Sequence, residues 1–428
     1  MPQKGVERDP RVLIITASGG GGHIQAARAK THQLKTRFKN PTIFTRDLVL
    51  DWIGKRVGRG MADLWNYAQR SGNVYLQKSI YYSQPLCDYL LGPKFFFKTL
   101  YFILRYDVDY LIDTQPVALG SMLKAAHLAS WIKNKHIYLE KMIIELPTPK
   151  AIMYFNSIKR LNKKYLQHLH IKTSLPLLDK DQSEEEFWRH FCDVSENMVD
   201  TSSTPIRPMF QKDYSKIQKE DFPVSFQLHD DEEHELVARS LSLSNEEYTV
   251  RKDTLSLTLQ PGDHVTTLML GSFPSTEGVK SYVRQYVEIL QEKQTPAPHY
   301  LFVFCSHKDS SNPLLHILHS LIDELMPFNN KICVLPFYFQ DDEVIAPLLA
   351  RSQITITRSG AITTHELLSV SQGRAFVHSE LKSPPFTQER LKTAMPLWEE
   401  GNAEYLQKKI GARLIHPSTF KDELKNIL

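Results

Sequence analysis

The feature that most constrains this chain is an alternation of β-rich and helix-like runs that occurs twice. In the first series RVLIITAS (11–18) leads into a long amphipathic segment from Ile24, and PTIFTRDL (41–48), DVDYLIDTQP (107–116) and HIYLEKMIIELPTP (136–149) follow as strands. ALGSMLKAAHLASWIK, between the last two, reads as a helix. A second series begins near residue 264 with HVTTLMLGS, SYVRQYVEILQEK, HYLFVFCS, LLHILHSLIDELM, KICVLPF, VIAPLLARS and ITITRSG. Strands alternating with helices predict parallel sheets covered on both faces, and 428 residues exceed one ordinary core. The expectation is an α/β chain of two Rossmann-like, doubly wound domains, with a central cleft where the carboxyl ends of both sheets face a ligand. KDQSEEEFWRH and HDDEEHE (229–235), between the two series, predict solvated helices or an irregular linker.

Composition narrows the function classes. The chain is 42% apolar and 23% charged with a net charge of +4, so a general nucleic-acid-binding role is not implied. Cys87, Cys192, Cys305 and Cys333 form no CxxC pair and predict buried thiols in a reducing compartment. The start, MPQKGVERDPR, carries no apolar signal region. No run reaches the roughly 18 apolar residues of a spanning helix. PKFFFKTLYFILRYDVDYL (93–111), interrupted by Lys98, Arg105 and Asp107, is expected to lie on a membrane surface at most. A cytoplasmic location follows as the expectation.

Two stretches carry candidate chemistry. In RVLIITASGGGGHIQAARA a strand runs through Gly19, Gly20, Gly21 and Gly22 to His23 and a helix, which leaves backbone N–H groups open at the helix start. A P-loop would need GxxxxGK[ST], and no Lys-Ser/Thr follows Gly22. A dinucleotide fingerprint would lack its third glycine at Gln25, although Asp47 ends the next strand where a ribose ligand is wanted. In a transferase site the glycines make room for a bulky substrate, and His23 stands where a base takes a hydroxyl proton. In ITITRSGAITTHELLSVSQG (354–373) a strand ends at Arg358, a turn passes Ser359 and Gly360, and a helix starts near Ala361 or Ile362. Glu366, about one turn in, either accepts hydrogen bonds from vicinal ribose hydroxyls or stabilises the first helical turn.

Together these stretches resemble the GT-B glycosyltransferases, in particular the group with the monogalactosyldiacylglycerol synthases, bacterial diacylglycerol glucosyltransferases and lipid II N-acetylglucosaminyltransferases. Asp113-Thr114-Gln115-Pro116, IIELPTP (143–149), TPIRPMF (204–210), Leu270-Gly271-Ser272 and PLWEEGNAEYLQKKIGA (396–412) are similar to further segments of that family, in the same order. The resemblance implies an acceptor-side domain over 1–207 and a nucleotide-sugar domain over 208–428, with insertions near 213–262 and 377–395. It implies His23 and Glu145 as catalytic groups, Gly20, Gly21, Gly22 and Gln115 on the acceptor side, and Gly271, Ser272, Arg358, Ser359, Gly360, Thr363, Glu366, Glu399 and Asn402 around the donor. The implied reaction is an inverting sugar transfer from a nucleotide sugar, UDP-linked, to a hydroxyl of a lipid or another large acceptor. It needs no metal and no cofactor, because helix N-termini and basic groups stabilise the departing diphosphate. Departures are the bulky turn Gly271-Ser272-Phe273-Pro274-Ser275-Thr276-Glu277-Gly278, Trp398 in place of a glutamine, and Gln115 in place of a histidine. They leave open a non-catalytic GT-B module that binds a nucleotide sugar or a partner protein, and a same-fold epimerase. A dinucleotide-dependent oxidoreductase fits RSGAITTHE poorly. Residues 51–106 interleave aromatics with Lys55, Arg56, Arg59, Lys78, Lys94, Lys98 and Arg105. That spacing fits either peripheral contact with an anionic membrane or ordinary helix packing with solvated cations.

Overall fold

The computed structural model describes residues 9–18, 21–150, 152–202, 206–244, 248–293, 297–306, 314–325 and 331–427. The chain divides into two compact units. One comprises residues 1–68, 75–207 and 400–405, and the other 69–74, 208–399 and 406–428.

The first unit is built on β1 (Arg11–Thr16), β2 (Thr42–Asp47), β3 (Tyr110–Asp113), β4 (Tyr138–Met142), β5 (Leu169–Lys172) and β6 (Val199–Asp200), in the sheet order β2-β1-β3-β4-β5-β6. Every neighbouring pair is parallel. Val12 to Thr16 are all buried, which is why β1 reads as a continuous apolar run. Helices α1 (Gly21–Arg37), α2 (Lys55–Arg70), α3 (Val74–Tyr82), α4 (Gln84–Tyr106) and α5 (Leu119–Lys133) follow in chain order. Leu13, Ile15, Leu111 and Leu139 of the sheet pack with Phe95 and Ile103 of α4 and Met122 and Ala126 of α5. The expected fourth strand is shorter than read: β4 stops at Met142, so Glu145 stands in the loop beyond it.

In the second unit β7 (Phe222–Gln227), β8 (Tyr248–Arg251) and β9 (Thr254–Leu259) form an antiparallel sheet, with α6 (Asp231–Ser244) between β7 and β8. This accounts for the segment expected to be charged linker. Alternate residues of β7 are buried, and Phe226 stacks on Phe337 at 4.1 Å, which fixes the small sheet to the larger one. HDDEEHE starts a helix as expected, but Glu233 within it is fully buried and not solvated. It accepts from the backbone N–H groups of Tyr338 (2.7 Å) and His229 (2.6 Å).

The larger sheet has β10 (His264–Met269), β11 (His299–Phe304), β12 (Ile332–Phe337), β13 (Ile354–Thr357), β14 (Arg374–His378) and β15 (Arg413–Ile415), all parallel, in the order β12-β11-β10-β13-β14-β15. Around it lie α7 (Thr276–Lys293), α8 (Leu314–Leu325), α9 (Asp342–Arg351), α10 (Ala361–Val370), α11 (Gln388–Thr393), α12 (Leu397–Ile410) and α13 (Pro417–Lys425). Leu268, Val303, Val334 and Ile356 meet Tyr282, Val283 and Tyr286 of α7 in its core. Both units are therefore doubly wound α/β structures. Cys305 and Cys333 are buried thiols, whereas Cys87 is only half-buried, at variance with the expectation of burial. The side chain of Cys192 lies outside the described residues. Among the described residues no helix is long and apolar enough to cross a membrane.

Candidate functional site

In a doubly wound sheet, ligands bind where the strand order reverses, beyond the carboxyl ends of the strands. In the first unit that point lies between β1 and β3, because β2 follows on one side of β1 and β3 on the other. The loop from β1 to α1 and the loop after β3 meet there. Gly19 and Gly20 lie outside the described residues. Gly21 and Gly22 open α1, and His23 is its third residue.

His23 is half-buried, and its Nδ1 lies 2.5 Å from the carbonyl oxygen of Thr114. A carbonyl only accepts, so Nδ1 carries the proton and Nε2 keeps its lone pair. Thr114 Oγ1 returns a hydrogen bond to the His23 carbonyl at 3.2 Å. Burial pushes the imidazole pKa down to about 4, and the Lys141 ammonium pushes the same way, while the Thr114 contact opposes both. His23 is thus a neutral imidazole of fixed tautomer across the physiological range.

The loop after β3 is itself rigidly built. Lys141 Nζ binds Asp113 Oδ2 at 2.7 Å, with both side chains buried, and also donates to the Gln115 carbonyl. The Gln115 amide nitrogen donates to Asp113 Oδ1 (3.0 Å) and to the Val117 carbonyl, while its oxygen accepts from Val117 N–H (2.9 Å). Gln115 therefore holds the turn together with both ends of its amide. Asp88 of α4 accepts from Ala118 N–H at 2.5 Å, which ties α4 to this loop.

A cavity of about 820 Å³ opens beside that joint, lined among others by Tyr81, Tyr89, Phe96, Tyr154, Lys124 and Arg160. Glu145 acts on this region: its carboxylate helps to raise the Tyr81 phenol pKa, second to burial. Glu145 is buried, and its Oε2 accepts from Asn402 Nδ2 at 2.8 Å, while Asn402 Oδ1 accepts from Leu146 N–H at 3.2 Å. Asn402, expected at the donor, thus packs within the first unit on Glu145. Asp47, which kept a dinucleotide reading open, is occupied as a cap. Its Oδ1 accepts from Val49 and Leu50 N–H, both at 2.8 Å, and its Oδ2 from Ser18 Oγ.

The switch point of the second unit lies between β10 and β13. β10 ends in the turn carrying Gly271, whose φ of +81° is a left-handed conformation, with open space where a Cβ would project. The Ser272 carbonyl accepts from Ser306 Oγ at the end of β11. β13 ends at Thr357 and Gly360 caps α10, close to the boundaries read from the sequence, and a Cβ at Gly360 would also meet open space. Thr363 is half-buried and Glu366 buried on α10.

Arg358 and Glu399 come together as a buried ion pair, Nη2 lying 3.1 and 3.2 Å from the two carboxylate oxygens. Ser359 Oγ donates to the Glu399 carbonyl at 2.7 Å. The Arg358 guanidinium is thereby largely committed to a protein carboxylate. The segment 377–395, read as an insertion with a lid or a surface loop as its alternatives, includes the end of β14 and α11, and is folded onto itself by a hydrogen bond from Ser379 Oγ to the Leu391 carbonyl.

Sequence reasoning missed a further cluster here. His378 Nδ1 lies 2.8 Å from the Tyr282 hydroxyl, and His378 Nε2 lies 3.2 Å from Glu380 Oε1. The Glu380 pKa falls to about 2 against the pull of burial, because His378, Arg358 and His416 surround it. Among the described residues no group of three His, Cys, Asp or Glu side chains could hold a metal ion.

No family model matches the chain, and no curated protein matches it. Among solved structures the chain is similar to MurG of Acinetobacter baumannii, 12% identical with a TM-score of 0.47, over 98% of this chain and 91% of that one. It is also similar to the α,α-trehalose-phosphate synthase (UDP-forming) of Burkholderia vietnamiensis, 10% identical with a TM-score of 0.42, over 96% and 89%. A third is the UDP-GlcNAc 2-epimerase of Neisseria meningitidis bound to UDP-GlcNAc, 11% identical with a TM-score of 0.39, over 97% and 98%.

Proposed function

We propose that the chain is an inverting, metal-independent GT-B glycosyltransferase that moves a sugar from a nucleotide donor, UDP-linked, to a hydroxyl of a lipid acceptor. The observation that carries this reading is the hydrogen bond from His23 Nδ1 to the Thr114 carbonyl, which leaves Nε2 as a proton acceptor at a strand switch point. In the proposed step the acceptor oxygen bonds to the anomeric carbon as the bond from that carbon to the diphosphate oxygen breaks. The hydroxyl proton passes to His23 Nε2, and the nucleoside diphosphate leaves with the electron pair. Gly271, Gly360 and the start of α10 are assigned to the nucleotide and phosphates, with Glu366 to the ribose.

The acceptor is assigned to the tyrosine-lined cavity beside the β3 loop. Leu86, Tyr89, Leu90, Phe97, Tyr101 and Leu104 are exposed along α4 at helical spacing, and Lys94, Lys98 and Arg105 are exposed on the same helix. Such a surface suits an anionic bilayer and supports a lipid acceptor met at the membrane.

The test is transfer from radiolabelled UDP-sugars to lipids in phosphatidylglycerol vesicles, with His23→Ala as the control that binds donor without turnover. Sedimentation with those vesicles should be lost in Phe97→Glu/Tyr101→Glu. Failure of native protein to bind any nucleotide sugar would sink the assignment. Donor binding with no transfer to any acceptor would favour a non-catalytic nucleotide-sugar module, the reading that the closed Arg358–Glu399 pair supports.

A further inference from the structure

Asp113 and Lys141 form a buried ion pair that stability alone does not call for. They are register partners on β3 and β4, so both side chains leave the sheet on the same face. Both are buried, and Lys141 Nζ lies 2.7 Å from Asp113 Oδ2. The attraction between two such charges roughly offsets the cost of taking them out of water, so an apolar pair would stabilise the core as well. An apolar pair could not hold the chain on either side of Thr114. Lys141 Nζ binds the Asp113 carboxylate before that residue and the Gln115 carbonyl after it. Asp113 Oδ1 also accepts from the Gln115 backbone N–H at 3.2 Å. Thr114 itself is fixed to the end of β1, its N–H donating to the Ile15 carbonyl at 3.0 Å. The Thr114 carbonyl that meets His23 Nδ1 therefore has its direction set from both flanks.

We infer that Lys141 is a positioning residue for His23: by clamping Asp113 and Gln115 it aims the Thr114 carbonyl at Nδ1 and so keeps the lone pair on Nε2. This deepens the proposed function and rests on it. The same ammonium also opposes protonation of the imidazole through space. The other charged groups around this joint are Asp113 of β3, Asp88 of α4 and Arg160, which acts on Asp88. Among the described residues, Lys141 is the charge that bears on His23.

The experiment compares native protein with Lys141→Met and with Lys141→Met/Asp113→Asn, which strands no buried charge should the single variant fail to fold. Imidazole nitrogen resonances report the tautomer and the titration midpoint of His23, identified by their absence from His23→Gln, and need no ligand. Turnover is followed across pH in the vesicle transfer assay. In a folded variant the Nε2–H form should grow in, and the midpoint should rise by about one unit from its native value of about 4. Turnover should fall by about 10- to 100-fold in kcat with donor KM within about twofold of native, and the acidic limb of the pH profile should move up with the midpoint. A role in packing alone lowers stability and leaves the tautomer as it was. A folded variant whose His23 remains wholly in the Nδ1–H form overturns the inference, even with a shifted midpoint, since loss of the ammonium alone would cause that shift. Native protein without turnover overturns the proposed function and this inference together, whereas native turnover with an unchanged tautomer in the variants overturns only the latter.

Discussion

His23→Gln tests the central group without needing an acceptor. The native imidazole has a pKa of about 4 in the fold against an ordinary value of 6.5, with burial as the main cause. Below pH 6.5 the unfolded chain takes up a proton that the folded chain refuses, so native stability falls as pH drops from 6.5 towards 4 and levels off below. With those two values, the imidazole lowers folding stability by about 2 kcal/mol between pH 7 and pH 5. Glutamine stays neutral and can still donate an N–H to the Thr114 carbonyl, so the variant lacks this one pH term. His299 and His416, also held near 4, contribute equally to both proteins and cancel in the comparison. Urea unfolding followed by tryptophan fluorescence is the assay, because four of the five tryptophans, Trp52, Trp65, Trp131 and Trp188, belong to the first unit. The native-minus-variant stability should fall by about 2 kcal/mol on going from pH 7 to pH 5, while turnover by the variant drops by about 10²- to 10⁴-fold. A change in that difference below about 0.5 kcal/mol, or an imidazole resonance titrating near pH 6.5, would show that His23 is open to solvent and not held as a neutral base.

Three further perturbations probe the second unit, each read by urea denaturation. Glu233→Ala removes the acceptor of two buried backbone N–H groups and should cost about 2–4 kcal/mol, with Glu233→Gln recovering part of it. Arg358→Met strands the Glu399 carboxylate in the interior and should cost about 3–5 kcal/mol, most of which Arg358→Met/Glu399→Leu restores because no unpaired charge remains. Gly72→Ala combines a left-handed backbone with a contact against Glu380 and should cost about 1–3 kcal/mol, only partly relieved by adding Glu380→Ala.

What the sequence disclosed and what it withheld divide along a physical line. Strands buried on both faces are continuous apolar runs, so β1, β11 and β12 can be read directly, and the Gly360 cap places the start of α10 to within a residue. β6 is two residues long and β15 three, too short for any period to register. β7 alternates as an antiparallel strand should, but Pro223 and the acidic run after it obscured the pattern.

The site residues divide in the same way. His23 could be singled out because its setting, a glycine loop before a helix, is local. The company kept by Glu145 and Arg358 is not: Asn402 lies 257 positions from Glu145, and Glu399 lies 41 from Arg358. A charged side chain has no periodicity that reveals its partner. Whether a cation is spent on a protein carboxylate or left to meet a ligand is decided only when the fold brings distant segments together. Arg358 looked like the donor's cation because it stands at a strand end in a motif, and it is Glu399, on α12, that takes it up.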